Sequence, residues 1–132
     1  PIRERTIMLK DKNSSAIVAV KDLDRAKAFY SDVLELNLAD TSNADMLGYR
    51  TGNTWLTVYK SDFAGTNQAN AVSWDVGVEL DDIVAGLKAK GVAFEHYEGM
   101  DRQGDIHVCG PMRLVWFKDP DGNILHLVGS TG

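Results

Sequence analysis

The sequence predicts an α+β fold in which a strand–helix–strands module occurs twice, once in each half of the chain. Three observations predict it. An apolar strand and an amphipathic helix open each half, β-rich runs close each half, and a polar stretch at 61–71 lies between them. A repeat of this kind indicates one sheet with one helix on one face in each half. We therefore expect a single domain, 1–132, with modules at about 14–60 and 72–130.

The first module opens with the short apolar strand 15–20. Asp22 or Asp24 can cap the helix that follows, because a carboxylate accepts hydrogen bonds from the free N–H groups of a first helical turn. The helix then repeats apolar residues at i, i+3, i+4, i+7 and i+8, which form one face: Ala26, Phe29, Tyr30, Val33 and Leu34. The β-rich runs 46–51 and 54–60 flank Gly52-Asn53, a sequence typical of a hairpin turn.

The second module repeats this order. A strand at 74–80 leads to a helix that Asp81 or Asp82 can cap and that ends at Gly91, a residue suited to the left-handed position after a helix. Three further strands are predicted at 92–97, 113–118 and 124–128, with a tight turn at 119–122 between the last two. The two modules align at an offset of 60 residues, with Val20, Asp22 and Leu23 matching Leu80, Asp82 and Ile83.

Composition excludes several classes of function. Apolar residues make up 44% and charged residues 25% of the chain, which is typical of a globular protein, and the net charge of −5 disfavours a nucleic-acid partner. No basic run favours a membrane surface, and no apolar run approaches transmembrane length. Cys109 is the only cysteine, which fits a reducing, cytoplasmic location. The first ten residues carry too many charges for a secretory signal, and the apolar run 7–9 is a candidate edge strand.

Two stretches carry a family likeness. VKDLDRAKAFYSDVLEL (20–36) resembles the opening strand and helix of the vicinal-oxygen-chelate superfamily, which includes glyoxalase I, bleomycin-resistance proteins and extradiol dioxygenases. RLVWFKDPDGNILHL (113–127) resembles the closing hairpin of the same proteins. The resemblance implies paired βαβββ modules that form an incomplete barrel around a cavity, often in a homodimer. That fold serves both metal-dependent enzymes and metal-free drug binders, so the fold alone does not select the function.

The resemblance also implies where metal ligands would stand. Relatives usually carry a His seven residues before the helix-start Asp, a ligand at the matching position of the second module, a Glu on the fourth strand, and a Glu four residues after the turn glycine. These positions fall on Ser15, Asp75 (or Trp74, if the alignment is one residue off), Thr57 and His126. Hydroxyl groups are poor ligands for divalent metals, so only two of four positions donate well. We therefore expect no metal and no other cofactor.

Alternation along the strands selects the candidate ligand-binding side chains. If Leu56 and Val58 face the helix, then Trp55, Thr57 and Tyr59 face the cavity or belong to the core as aromatic packing. The leucines that flank His126 likewise send its ring to the opposite face, as a polar anchor, a general base or a half-buried histidine. The full set of expected ligand-binding residues is Ser15, Trp55, Thr57, Tyr59, Asp75 and His126.

Other polar residues have more ordinary interpretations. His107 and Cys109 could bind a metal or form a reactive pair, but Gly104, Gly110 and the proline that follows favour a mobile loop there. Arg113 is expected in a surface ion pair, or else as a clamp for a ligand carboxylate.

Three functions follow from these residues. The first is a metal-free binder of a small, partly aromatic molecule, which the poor ligand set and the aromatic strand favour. The second is a lyase, isomerase or dioxygenase in which His126 and Asp75 are the catalytic residues, with or without a divalent metal. The third is a structural or protein-binding domain. A filled barrel would favour the third function, and a roomy cavity with aromatic walls the first.

Overall fold

Two sheets, one from each half of the chain, form the molecule. The structure is a computed structural model that describes residues 8–131. After a 3₁₀ turn at Leu9–Asp11, the first half comprises β1 (Ala16–Val20), α1 (Leu23–Lys27) with a π-helical continuation (Ala28–Val33), β2 (Asn37–Asp40), β3 (Met46–Thr51) and β4 (Thr54–Lys60). Its strands lie in the order β1-β4-β3-β2, with β1 and β4 parallel. Residue 7 of the candidate edge strand lies outside the described residues.

The second half repeats this arrangement with two strands more. It comprises β5 (Asn70–Gly77), α2 (Leu80–Ala89), β6 (Phe94–Glu95), β7 (Asp101–Gln103), β8 (Ile106–Cys109), β9 (Met112–Lys118) and β10 (Ile124–Ser130). The sheet has the order β5-β10-β9-β8-β7, and β5 runs parallel to β10 as β1 does to β4. The predicted α+β fold of two βαβββ modules is confirmed, and the sheets do not close into a barrel. Neither helix within residues 8–131 has the length and apolar character needed to cross a membrane.

Local signals explain the first module. The Asp22 carboxylate accepts hydrogen bonds from the N–H groups of Asp24 and Arg25, which caps α1 as predicted. α1 and its π-helical continuation supply the buried side chains Ala26 and Tyr30, and all apolar residues predicted for that face contact the core. The core is one cluster that includes residues of both sheets and both helices.

The start of the second module differs from the prediction. β5 ends at Gly77, whose φ of +56° turns the chain, so the strand lies at 70–77 and not at 74–80. Glu79 takes the N-cap position of α2 without a side-chain hydrogen bond, so neither Asp81 nor Asp82 caps the helix. The helices begin at Leu23 and Leu80, 57 residues apart, and the predicted offset of 60 is wrong.

Two further strand predictions need correction. Only Phe94–Glu95 of the predicted strand 92–97 pairs with β9. The region predicted as a mobile loop instead contains β7 and β8, a hairpin whose second strand carries His107. Gly104 and Gly110 have φ values of +63° and +59° and occupy the turns before and after β8, so these glycines mark strand ends in a meander.

The turn at 119–123, between β9 and β10, connects the second sheet to the first module through hydrogen bonds. The buried Asp119 carboxylate accepts hydrogen bonds from the Tyr30 hydroxyl of the π-helical segment and from the Asn123 amide, each at 2.8 Å. Asn123 also donates to the carbonyl oxygen of Ala19 at 2.8 Å, and Arg25 forms an ion pair with Asp121 in the same turn. This turn, which belongs to the stretch 113–127 that resembles the family, therefore stabilises the contact between the two halves.

Candidate ligand-binding site

The first candidate surface is the face of the first sheet that points away from the helix, here called the first aromatic face. Leu56 and Val58 of β4 are buried in the core, so Trp55, Thr57 and Tyr59 lie on the opposite face, as the alternation predicts. Trp55 is 39% exposed, which is unusual for so large an apolar side chain and marks this face as open to solvent.

A cation and a hollow accompany the indole on this face. The Arg50 guanidinium, opposite Trp55 in the β3–β4 ladder, lies 5.0 Å from the centre of the indole ring. Ser15 precedes β1 beside Trp55, and the two line a hollow of about 300 Å³ together with Thr57 and Gly48. Tyr59 lies on the same face but outside that hollow. A second hollow, of about 380 Å³, connects Ser15 and Trp55 to Ser73 on β5.

The second candidate surface, here called the second aromatic face, belongs to the second sheet. Leu125 and Leu127 point into the core, so His126 points to the other side, as predicted. In register, Ser73 on β5, His126 on β10 and Trp116 on β9 are neighbours across the sheet. The rings of Trp116 and His126 are stacked, with centroids 4.6 Å apart and planes at 18°.

Further aromatic rings extend this second face. Tyr97 and His107 both meet the Trp116 ring edge-on, with ring centroids 5.1 Å away. His107 is fully buried, and its Nε2 accepts a hydrogen bond from the backbone N–H of Tyr97 at 2.9 Å. Its Nδ1 has no partner within residues 8–131. The cluster is therefore a continuous aromatic layer, with His107 at its base.

The environment of His126 fixes its protonation. Its Nδ1 lies 3.0 Å from the carbonyl oxygen of Val115, so Nδ1 carries the hydrogen and Nε2 keeps its lone pair. Burial lowers the pKa of the imidazole below its ordinary value, and the bond to Val115 offsets this in part. His126 is therefore neutral near pH 7, with Nε2 available as an acceptor or a base.

Asp75 is not paired with His126 across the sheet. It shares the face of Ser73, but its neighbour on β10 is Val128, and it is exposed. Its carboxylate accepts a hydrogen bond from the nearby backbone N–H of Gly77 at 3.2 Å. The structure thus brings Ser15, Trp55 and Thr57 together and leaves Asp75 and His126 on the other sheet.

Sequence reasoning missed several members of the two faces. Arg50 alternates with the buried Tyr49, and Trp116 alternates with the buried Val115 and Phe117, so strand periodicity contained both signals. Arg113 forms a bidentate ion pair with Asp81 at 2.7 and 2.8 Å, which confirms the expected ion pair of that residue.

The donors on these faces do not fit a catalytic divalent metal. The expected ligand positions Ser15 and Thr57 offer hydroxyl groups, and Asp75 pairs with Val128 and not with His126. Across the described range 8–131, no three His, Cys, Asp or Glu side chains are arranged to hold a metal ion.

Comparison with known proteins identifies the fold. A family model described as the Glyoxalase/Bleomycin resistance protein/Dioxygenase superfamily matches residues 13–127. A search of curated proteins finds no match.

Solved structures of the same architecture are distant in sequence. The fosfomycin resistance protein FosX from Listeria monocytogenes, solved with Mn(II) and sulfate, has a TM-score of 0.69 at 20% identity, covering 92% of this chain and 91% of its own. Lactoylglutathione lyase from Agrobacterium tumefaciens has a TM-score of 0.69 at 20% identity, covering 90% and 93%. An integron cassette protein from the mobile metagenome of the Halifax Harbour sewage outfall has a TM-score of 0.67 at 19% identity, covering 87% and 95%. At these identities the likeness shows the fold alone.

Proposed function

The chain belongs to the Glyoxalase/Bleomycin resistance protein/Dioxygenase superfamily, and on that premise we propose that it binds a small planar molecule without a catalytic metal. The observation that carries the proposal is the pair of aromatic surfaces: Trp55 beneath the Arg50 guanidinium, and Trp116 stacked on His126. Aromatic walls with a few polar groups are the usual composition of a small-molecule site.

The side chains at the expected metal-ligand positions favour a ligand that contacts the protein directly and not through a metal ion. By the family resemblance, Ser15 and Thr57 stand where metal-dependent relatives carry stronger ligands, and one imidazole with one carboxylate does not retain a catalytic ion against water. The polar groups instead suit an organic molecule. Nε2 of His126 accepts a hydrogen bond from a ligand hydroxyl or N–H group, and the Arg50 guanidinium attracts a carbonyl or an anionic group.

The complete site lies between two chains in this proposal. Each chain leaves large apolar side chains uncovered on the first aromatic face, with Ile17 59% exposed beside the open Trp55. Exposed apolar surface and unpaired sheet edges are both stabilised by a partner. A homodimer in which each copy covers the other's first aromatic face would enclose a ligand that one chain leaves in solvent.

The test uses 2-naphthol, a planar probe with one hydroxyl donor, and 2-methoxynaphthalene, which has the same rings without the donor. The indole N–H signals of Trp55 and Trp116 should shift on titration with 2-naphthol, and more weakly with the methoxy compound. Trp55→Ala should lower the affinity about 5- to 150-fold, the equivalent of roughly 1–3 kcal/mol for a lost stacking contact. Phe63→Ala, at a position that is 79% exposed and lines neither hollow of the first aromatic face, is the control and should leave the affinity unchanged. Absence of any shift at both indoles would reject the aromatic faces as a site.

A second candidate function is metal-free acid–base catalysis. One observation favours it: His126 is buried, its pKa is lowered by that burial, its Nδ1 is fixed by Val115, and its Nε2 has no partner among residues 8–131, as a general base requires. The similar structures include a lactoylglutathione lyase, so proton transfer next to a carbonyl group, in a lyase or isomerase reaction, is the class to assay. If the protein is such an enzyme, His126→Ala should abolish turnover while changing ligand affinity little. If the protein only binds its ligand, His126→Ala should lower the affinity, and the unmodified chain should show no turnover.

A further inference from the structure

Another cavity lies on the helix side of the second sheet, and it adjoins the hollow beside Trp55 at Thr51 and Trp74. It has a volume of about 350 Å³ and lies between α2 and the end of the π-helical segment. Its walls are mainly apolar and include Trp74, Val76, Ile83, Leu87, Phe117 and Leu127. A volume of several hundred Å³ with such walls is in the range of small-molecule sites. Trp74 packs on the core side of β5 and lines this cavity, whereas its strand neighbours Ser73 and Asp75 are exposed on the other face.

A glycine keeps one wall of this cavity open. Gly86 lies in the interior of α2, where glycine destabilises a helix relative to alanine. Its φ is not positive, and a Cβ atom added there would meet no atom within 4 Å. Neither backbone geometry nor a close neighbour therefore requires glycine at this position. What its missing side chain provides is space in the cavity.

The charges at the two ends of the cavity differ. At one end the Lys90 ammonium is engaged by the Glu35 carboxylate at 2.6 Å and by the carbonyl oxygen of Asp32 at 2.9 Å. At the other end, in the first turn of α2, the Asp82 carboxylate has no hydrogen bond or ion pair with any residue from 8 to 131. The negative charge that is free for a ligand is therefore at the Asp82 end.

We propose that this cavity binds a small apolar or aromatic molecule that carries an amine, with the ammonium group near Asp82. The hydrocarbon body lies along Trp74, Leu87 and Phe117, where its burial drives binding. The ammonium group remains at the solvent edge of the cavity, where an ion pair with the Asp82 carboxylate contributes little free energy. Asp82 therefore determines which ligands are preferred, and adds little to the affinity. This site differs from that of the proposed function because it lies on the helix side of the second sheet, and only Thr51 and Trp74 also line the hollow beside Trp55.

The experiment compares three probes with one hydrocarbon body: 4-phenylbutylamine, 4-phenylbutanol and 4-phenylbutanoate. The readout is the indole N–H signal of Trp74, which donates to the Thr51 hydroxyl at 3.0 Å and is assigned with Trp74→Phe. The amine should shift this signal and bind about two- to fivefold more tightly than the alcohol, as expected for an exposed ion pair. The carboxylate should bind more weakly than the alcohol.

Variants on α2 separate the contributions. Gly86→Leu fills the cavity and should weaken all three probes at least about tenfold, since the ligand body loses its place. Ala85→Leu, on an exposed position of the same helix, is the matched control and should leave affinity unchanged. Asp82→Asn should remove the preference for the amine while retaining binding of the alcohol. Unchanged affinity in Gly86→Leu, equal binding of amine and carboxylate, or shifts at Trp55 or Trp116 in place of Trp74 would each overturn the proposal, whatever the result with 2-naphthol.

Discussion

Tyr30→Phe tests whether the hydrogen bonds of the 119–123 turn stabilise the contact between the two halves. The Tyr30 ring is fully buried, and its hydroxyl donates to the Asp119 carboxylate at 2.8 Å. Burial, together with the charge of Asp119, raises the pKa of the Tyr30 hydroxyl, so the group stays protonated and acts as a donor. Phenylalanine keeps the ring and removes only that donor, so the variant creates almost no cavity.

The expected loss follows from the charge of the acceptor. A hydrogen bond to an ionised group contributes roughly 1.5–3 kcal/mol, against about 0.5–1.5 kcal/mol for a bond between neutral groups. The Asp119 carboxylate keeps its bonds from the Asn123 amide and from the backbone N–H groups of Asp121 and Asn123, so its desolvation is partly offset. We therefore expect the free energy of unfolding to fall by about 1.5–2 kcal/mol, near the lower end of that range.

Tyr49→Phe is the matched control. Tyr49 is also fully buried as a residue, but its hydroxyl shares a hydrogen bond with the neutral Ser31 hydroxyl at 2.9 Å, and that pair is only partly buried. Removing this hydroxyl should cost about 0.5–1 kcal/mol. Urea unfolding followed by circular dichroism gives both free energies under one condition. If Tyr30→Phe costs no more than Tyr49→Phe, the charged bond does not stabilise the contact between the halves.

Three other predictions concern strain, pH and assembly. Gly65→Ala would place a Cβ atom 1.9 Å from the carbonyl oxygen of Asp121, at a φ of +72°. Urea unfolding should therefore show a larger loss in the free energy of unfolding than the roughly 1–2 kcal/mol expected for Gly52→Ala, which lies at an open turn. Equal losses in the two variants would contradict this prediction. Because the folded state lowers the pKa of His126, the unfolded chain takes up the proton first as the pH falls. The contribution of His126 to the free energy of unfolding should therefore be constant above its ordinary pKa of 6.5 and decrease below it. Urea unfolding midpoints measured from pH 8 to pH 5 should fall less steeply in His126→Gln than in the unmodified chain. Light scattering at tens of micromolar should give the mass of two chains, and a monomer alone would count against the shared site.

Local patterns in the sequence predicted most of the fold. The strand alternation around Trp55 and around His126 assigned each side chain to its face, because that periodicity is a property of the strand itself. The cap at Asp22 was also predicted, since it depends on residues two and three positions away. The start of α2 was misplaced because Val78, Glu79 and Leu80 continue the alternation of a strand after the chain has already turned.

The site was predicted less completely, because its geometry depends on pairing between distant strands. Ser73, not Asp75, is the neighbour of His126, and only the register of β5 against β10 decides this. The stacking of Trp116 on His126 likewise requires the β9–β10 pairing. His107 was assigned to a loop because its flanking glycines resemble loop residues, whereas they occupy the two turns that bound its strand.

The most direct test of the proposed function is the metal content of protein that is purified untagged and without chelators. Zn, Mn, Fe, Ni and Co are measured by elemental analysis, in parallel with His126→Ala. Because Ser15 and Thr57 offer only hydroxyl groups, and no three His, Cys, Asp or Glu side chains within residues 8–131 are arranged to hold a metal ion, we predict well under one metal ion per chain in both proteins. Near-stoichiometric metal in the unmodified chain that is lost in His126→Ala would contradict the proposal and establish a metal centre at this histidine.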